Sequence, residues 1–312
     1  MFTLRQKISD IPYTLGNLIL PPATGRPVFV TGNGRSGTSW IGEMLGFAPN
    51  VLYYREPCHP RRNGMSLDSS EQVWSKIVPE NGQDIFFERT LSRAFRGHFW
   101  RGCGFSLTDY PNRATKSPRI VVKEVASFAS TEWVYKTWFP EVLVIMRHPG
   151  AYAESVKKLH QGPSEVARLE LLAANPVLMS KYKDMILNAL SHVNSAVDAS
   201  IVAWAIRTRV YLDAKAHHPD WHLVHYENIA LAPVEQMKKI YSALNLGWDE
   251  DVEARILATT TNDAKGSYST SRMVGSRIDA WRTDLPEETR NLARHTLEIF
   301  EIPFYRSTSD WQ

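Results

Sequence analysis

The sequence predicts an α/β fold, a central parallel sheet of about five strands with helices on both faces and helical insertions between strands. Three observations predict it. Short apolar runs recur at Pro27–Thr31, Asn50–Tyr54, Ile120–Lys123, Val142–Met146 and Trp221–His225. Helical patterns follow most of them, and a glycine-rich turn follows the first. Short, continuously apolar strands alternating with helices read as a parallel sheet buried on both faces.

Each element has its own signal. The first run leads into a helical pattern at Thr38–Phe47. The third precedes a helix near Thr131–Trp138, and the fourth precedes Pro149–Leu159. Pro149 suits a first helical turn, because the N–H it lacks would be unpaired there anyway. The fifth precedes a helix near Val234–Leu244. Two segments break the rhythm and read as helical insertions, Ser69–Gly97 and Gln161–Val197. Insertions of this kind either shape a ligand pocket or only pack. For the second, both readings stay open.

Composition bounds the function. The chain has 312 residues, 43% hydrophobic and 22% charged, with a net charge of +3. That mild excess suits small anionic ligands and lacks the basic bias of a nucleic-acid binder. Cys58 and Cys103 are too few for a disulfide framework or a zinc site. No apolar run approaches the ~18 residues of a membrane span. The N-terminal segment lacks a secretory cleavage pattern, and no N-x-[ST] sequon occurs. Together these lead us to expect a cytoplasmic protein. Oligomeric state cannot be read from these residues.

Ligands of such sheets bind at the carboxyl ends of the strands. After the first strand stands TGNGRSGTSW, residues 31–40. The phosphate-loop pattern G-x-x-x-x-G-K-[ST] fits at Gly32, Gly37 and Ser39, but Thr38 fills the lysine slot. Gly34 and Gly37 let backbone N–H groups surround an anion, and the following helix adds its positive end. Ser36, Thr38 and Ser39 offer hydroxyls, and Arg35 can hold two oxygens at once. The fold expected is therefore a three-layer α/β fold of the P-loop type. A hydrolase elbow, G-x-S-x-G, would need glycine where Thr38 stands.

The fourth strand ends in Arg147, where a nucleotide triphosphatase usually carries an aspartate for magnesium. Ser155 follows eight residues later. Glu124, after the third strand, reads as a structural or supporting ion pair. The site thus looks built for two anionic groups without a metal. In HHPDWHLVH, His222 and His225 differ by three on a strand and face opposite sides, which disfavours metal binding. Trp133 and Trp138 fit a packed helix face.

GNGRSGTSW, VLVIMRHPGAYAES and VHYENIALAP together resemble the sulfotransferases that use 3′-phosphoadenosine 5′-phosphosulfate (PAPS). The motifs span roughly 27–285 and imply a single sulfotransferase domain over 1–312. The resemblance implies that the loop binds the 5′-phosphosulfate, that Arg147 and Ser155 bind the 3′-phosphate, and that Tyr226 contacts the nucleotide. Tyr226 could equally be a strand-end tyrosine packed on the sheet. SRMVGSRIDAWRTDL resembles the family's late nucleotide loop but lacks its R-K-G. Arg277 is the candidate there and Arg272 the alternative. The R-S-G-T form is similar to the carbohydrate branch, which implies an acceptor hydroxyl on a carbohydrate or glycolipid.

Sulfuryl transfer needs in-line positioning, charge neutralisation and a base for the acceptor hydroxyl. Glu56 directly follows the second strand, and the Glu56–Pro57 pair is similar to the carbohydrate branch's base. His59 is the competitor, and an ion pair of Glu56 with Arg55, Arg61 or Arg62 is the structural alternative. Arg35 is expected to take charge on the leaving group. The rival readings are a P-loop kinase or NTPase and a non-catalytic nucleotide-binding protein.

Overall fold

The computed structural model describes residues 11–63, 65, 67–105, 107–159, 162–261 and 278–311. In chain order these form α1 (Ile11–Asn17), β1 (Val28–Thr31), α2 (Thr38–Leu45), β2 (Val51–Arg55), α3 (Leu67–Trp74), α4 (Ile85–Phe95) and α5 (Tyr110–Ala114). Then follow β3 (Arg119–Lys123), α6 (Thr131–Trp138), β4 (Glu141–Met146), α7 (Pro149–Lys158), α8 (Gly162–Ala173), α9 (Pro176–Leu190) and α10 (Ala196–His217). The last elements are β5 (His222–His225), α11 (Tyr226–Leu231), α12 (Pro233–Ala243), α13 (Glu250–Thr261), α14 (Trp281–Asp284) and α15 (Glu287–Ile299).

The five strands pair in the order β2-β3-β1-β4-β5, every pair parallel. All five lie where the apolar runs predict them. Each strand splits its side chains between two cores, because successive residues face opposite sides. Val28, Val30, Val121, Leu143 and Ile145 pack with Trp40, Ile41 and Met44 of α2. Phe29, Val122, Val144 and Met146 pack on the other face with Phe128, Trp204 and Tyr211. Fully burying such side chains stabilises by about 1.5–3 kcal/mol each. This two-faced burial is why the strands read as unbroken apolar runs.

The helix starts follow local chemistry. The Asp84 carboxylate accepts from the Phe87 N–H at 2.8 Å and caps α4. Ser195 Oγ accepts from the Asp198 N–H at 3.1 Å and caps α10. Pro149 opens α7, as its lack of an N–H favours.

The first insertion forms α3 and α4. The second forms α8 and α9, but its expected end at Val197 falls inside α10. This 22-residue helix is buried on nearly every side, Trp204 completely. A stretch buried on every side, as residues 198–208 are, has no solvent face for periodicity to reveal, so the sequence pattern hides it. Trp133 is buried and meets Trp138 edge to face at 5.1 Å, a packed helix face. Among the described residues no helix is long and apolar enough to cross a membrane.

The order of strands positions the site. β1 lies between β3 and β4, so the segments after these three strands converge on one sheet edge. β2 flanks β3 and brings Glu56 to the same edge.

Candidate active site

The turn after β1 is held open by backbone geometry. Gly32 has φ +149°, and a Cβ there would stand 2.3 Å from the Ile145 carbonyl oxygen of β4. Gly37 has φ +82°, and a Cβ there would meet the Tyr226 ring at 2.3 Å. Only glycine tolerates both the angle and the approach. Ser36 is fully buried, and its Oγ has no hydrogen-bond partner among the described residues. A buried hydroxyl of this kind calls for a ligand or water partner. The loop then enters α2 at Thr38, whose first-turn amides point toward the turn. These features fit the phosphosulfate group of the expected donor.

Arg35 adopts φ +68°, a left-handed conformation that costs a non-glycine residue about 1 kcal/mol or more. Its Nε donates to Ser155 Oγ at 3.1 Å, and its carbonyl accepts from Arg147 Nη1 at 2.9 Å. The Arg147 guanidinium also lies 4.9 Å from the Tyr226 ring centroid. Arg35, Arg147, Ser155, Tyr226 and Gly37 thus form one contiguous group. The two ends expected to bind anions adjoin, because β1 and β4 are neighbouring strands. Tyr226 directly follows β5 and joins the core on one sheet face, so the packing alternative also has support. It opens α11 and packs against the loop glycine and Trp40.

Glu227 supports this group from behind. Its carboxylate accepts from the His148 N–H at 2.9 Å and from the Tyr305 hydroxyl at 2.9 Å. Tyr305 also meets His225 Nδ1 at 2.8 Å. His148 stacks on Trp281 at 4.3 Å, and burial holds its imidazole neutral, with a pKa down at about 3. The residue before β4's helix is therefore locked between three elements.

A cavity of about 300 Å³ opens beside the loop, lined by Gly34, Arg35, Gly37, Thr38, Ser39, Glu56 and His59 among others. Glu56 also has a left-handed backbone, φ +49°, and its N–H donates to the Lys123 carbonyl at 2.7 Å. Its carboxylate pairs with Lys123 Nζ. Arg55, Arg61 and Arg62, the partners weighed from sequence, do not take that place. Burial pushes the Glu56 pKa up, but the charge and hydrogen bond of Lys123, then His59 and Arg55, outweigh it and bring it down to about 2. His59 is half-buried and packs edge-on against Trp74 at 5.6 Å. Burial lowers its pKa, opposed by Glu56, and its Nδ1 has no hydrogen-bond partner among the described residues.

Glu124 corrects the expectation of an ion pair. No cation lies within 4.0 Å of it among the described pairs. Instead its carboxylate accepts from the Cys58 N–H at 2.7 Å and the Ala126 N–H at 2.8 Å. Thr31 Oγ1 donates to its carbonyl at 2.7 Å. One buried residue, through its carboxylate and its backbone carbonyl, therefore ties together the ends of β1, β2 and β3. Burial, then the charge of Glu56, raises its pKa to about 7.

Both insertions reach the cavity. Trp74 and Glu71 of α3, Glu165 and Arg168 of α8, and Arg207 of α10 line it, so the second insertion does more than pack. Sequence reasoning gave no role to Lys123, Glu227, Arg168 or Arg207. Lys123 had a usable signal, a cation closing a buried strand at the ligand edge. The others come from helices, whose approach only the fold defines. Arg277 and Arg272 lie outside the described residues. Among the described residues no three His, Cys, Asp or Glu gather as a metal set.

Comparisons with known proteins bear on this geometry. No curated protein matches the chain. A mouse sulfotransferase complexed with PAP is 14% identical, with 96% of this chain and 92% of that one covered and a TM-score of 0.44. A sulfotransferase from Alicyclobacillus acidocaldarius is 15% identical, covering 92% and 99%, with a TM-score of 0.43. A sulfotransferase domain from the Synechococcus PCC 7002 olefin synthase is 15% identical, covering 88% and 95%, with a TM-score of 0.48. The model of the sulfotransferase family matches residues 27–250, from the start of β1 to the start of α13. With that match over most of its length, the chain belongs to the sulfotransferase family and is an enzyme of PAPS-dependent sulfuryl transfer.

Proposed function

We propose that the chain, acting as one domain, transfers the sulfuryl group of PAPS to a hydroxyl on a carbohydrate or glycolipid, with Glu56 as general base and no metal. The observation that carries this reading is the placement of Glu56. It stands in the same cavity as the anion-binding loop, ionised and held by Lys123.

The donor, when bound, supplies an electrophilic sulfur attached to a phosphate leaving group. Gly34, Ser36, Gly37, Thr38 and Ser39 offer amides and hydroxyls to its phosphosulfate end. Arg147 and Ser155 serve the 3′-phosphate end, with Tyr226 beside them. Arg35 spans the two, its backbone held by Arg147 and its side chain by Ser155. Glu56 accepts the proton that the acceptor hydroxyl gives up. Lys123 keeps that carboxylate ionised and adds positive charge where the leaving group forms. Preorganised charges in a water-poor cleft account for the largest part of such catalysis. Arg147 ends β4 where a kinase would hold magnesium through a carboxylate. A cation there supports metal-free chemistry.

The test is transfer of labelled sulfate from PAPS to a panel of glycans, glycolipids and phenols. Wild type is expected to label a carbohydrate hydroxyl, with activity unchanged by EDTA. Glu56→Gln is expected to abolish labelling while binding adenosine 3′,5′-bisphosphate normally. Loss of labelling in His59→Ala with Glu56→Gln active would move the base to His59. EDTA inhibition reversed by magnesium would favour a kinase.

A further inference from the structure

The part of the cavity wall supplied by α3, α8 and α10 is polar in an unusual way. Arg168 lies between two carboxylates, with Nε 2.5 Å from Glu71 Oε2 and Nη1 on Glu165 Oε1. Glu165 is 1% exposed, and its second oxygen, Oε2, has no hydrogen-bond partner among the described residues. Arg207, 9% exposed, has no carboxylate within 4.0 Å among the described residues; its Nη2 reaches the Trp74 carbonyl at 3.4 Å, and its guanidinium also meets the Tyr152 hydroxyl. Glu165 and Arg207 both line the cavity, as do Trp74 and Tyr152.

A buried carboxylate oxygen without a donor is costly to keep, and such an atom calls for a partner on a ligand or a water. The four charged side chains here, two arginines and two glutamates, balance. A ligand anion would gain Arg207 but face Glu165. A purely apolar ring would leave the Glu165 oxygen unsatisfied and offer nothing to the Arg207 charge. A hydroxyl-rich neutral ring satisfies both, since each hydroxyl donates and accepts. It can donate to Glu165 and accept from Arg207, while its C–H surface rests on Trp74 and Tyr152.

We propose that Glu165 and Arg207, flanked by Trp74 and Tyr152, form an acceptor subsite that selects an uncharged, polyhydroxylated ring over anionic or hydroxyl-free acceptors. This rests on the reading of the cavity as the acceptor site, and it adds the charge state of the acceptor and the residues that choose it. Glu165 and Arg207 act in specificity, distant from the base in sequence and carried by different helices.

The test is calorimetric binding to full-length protein saturated with adenosine 3′,5′-bisphosphate. The probes are 4-nitrophenyl β-D-glucopyranoside, the matching β-D-glucuronide and 4-nitroanisole. Wild type is expected to bind the glucoside at least about tenfold more tightly than either other probe, as hydrogen bonds to buried charges allow. Glu165→Gln and Arg207→Met are each expected to lose most of that preference while binding the bisphosphate normally. Wild-type binding of the glucuronide or of 4-nitroanisole as tight as that of the glucoside overturns the proposal. So does no glucoside binding at 10 mM, or a preference that survives both substitutions. If a variant fails to fold, the wild-type ranking of the three probes decides. Glucoside binding without any sulfate transfer would instead refute the assigned reaction and leave the subsite standing.

Discussion

Replacing Lys123 by methionine should unbalance the candidate base. Lys123 is 1% exposed, and its ammonium pairs with the Glu56 carboxylate. In the folded protein that carboxylate titrates at about 2, against an ordinary value of 4.5. A difference of this size, at ~1.4 kcal/mol per pH unit, corresponds to ~3 kcal/mol. Because the folded value is depressed, this stabilisation is present above pH 4.5 and is lost as pH falls through about 2. That net value also contains the cost of burial and the help of His59 and Arg55; Lys123→Met strips the largest favourable partner from a buried pair and should cost about 3–5 kcal/mol at pH 7. Urea denaturation of wild type, Lys123→Met, Glu56→Gln and the double variant isolates the pair. A coupling energy of about 3 kcal/mol is expected at pH 7, shrinking as pH falls below 4.5. A coupling below about 1 kcal/mol, or one that does not change with pH, would refute the assigned pairing.

Other perturbations probe the loop and its supports. Arg35→Ala should reduce the rate about 10²-fold or more in a sulfate-transfer assay, and Arg35→Lys should restore little of it, since lysine cannot reproduce the fork geometry. Gly37→Ala should weaken adenosine 3′,5′-bisphosphate binding at least tenfold by calorimetry, because the new Cβ meets the Tyr226 ring at 2.3 Å. Glu124 has a raised folded pKa of about 7, so its stabilisation is present below pH 4.5 and is lost as pH rises through 7. Urea stability should thus fall by ~3 kcal/mol between pH 4.5 and pH 8 from this group, and Glu124→Gln should lack that slope.

Much of the fold was legible because it is written in burial. β1, β3 and β4 are short and covered on both faces, so each stands out as an apolar run, while the edge strands β2 and β5 are only partly buried. The loop was legible because glycines at 32 and 37 are demanded by the close approach of Ile145 and Tyr226. α10 was not legible, since a helix buried all round shows no periodic contrast. Glu56 could be placed at the ligand edge, but its partner could not. Lys123 and Glu56 are 67 residues apart and meet only through the β2–β3 register. Glu165 and Arg207 were hidden for the same reason. Long-range pairing of side chains from insertions depends on how helices pack, and local sequence carries no record of it.

The proposed donor site spans the loop and the end of β4. A crystal structure of the protein with adenosine 3′,5′-bisphosphate tests this most directly. The 5′-phosphate is expected against the amides of Gly34–Ser39, with the 3′-phosphate within hydrogen-bond distance of Arg147 and Ser155. A bisphosphate bound with its 3′-phosphate away from Arg147, or with the loop empty, would contradict it.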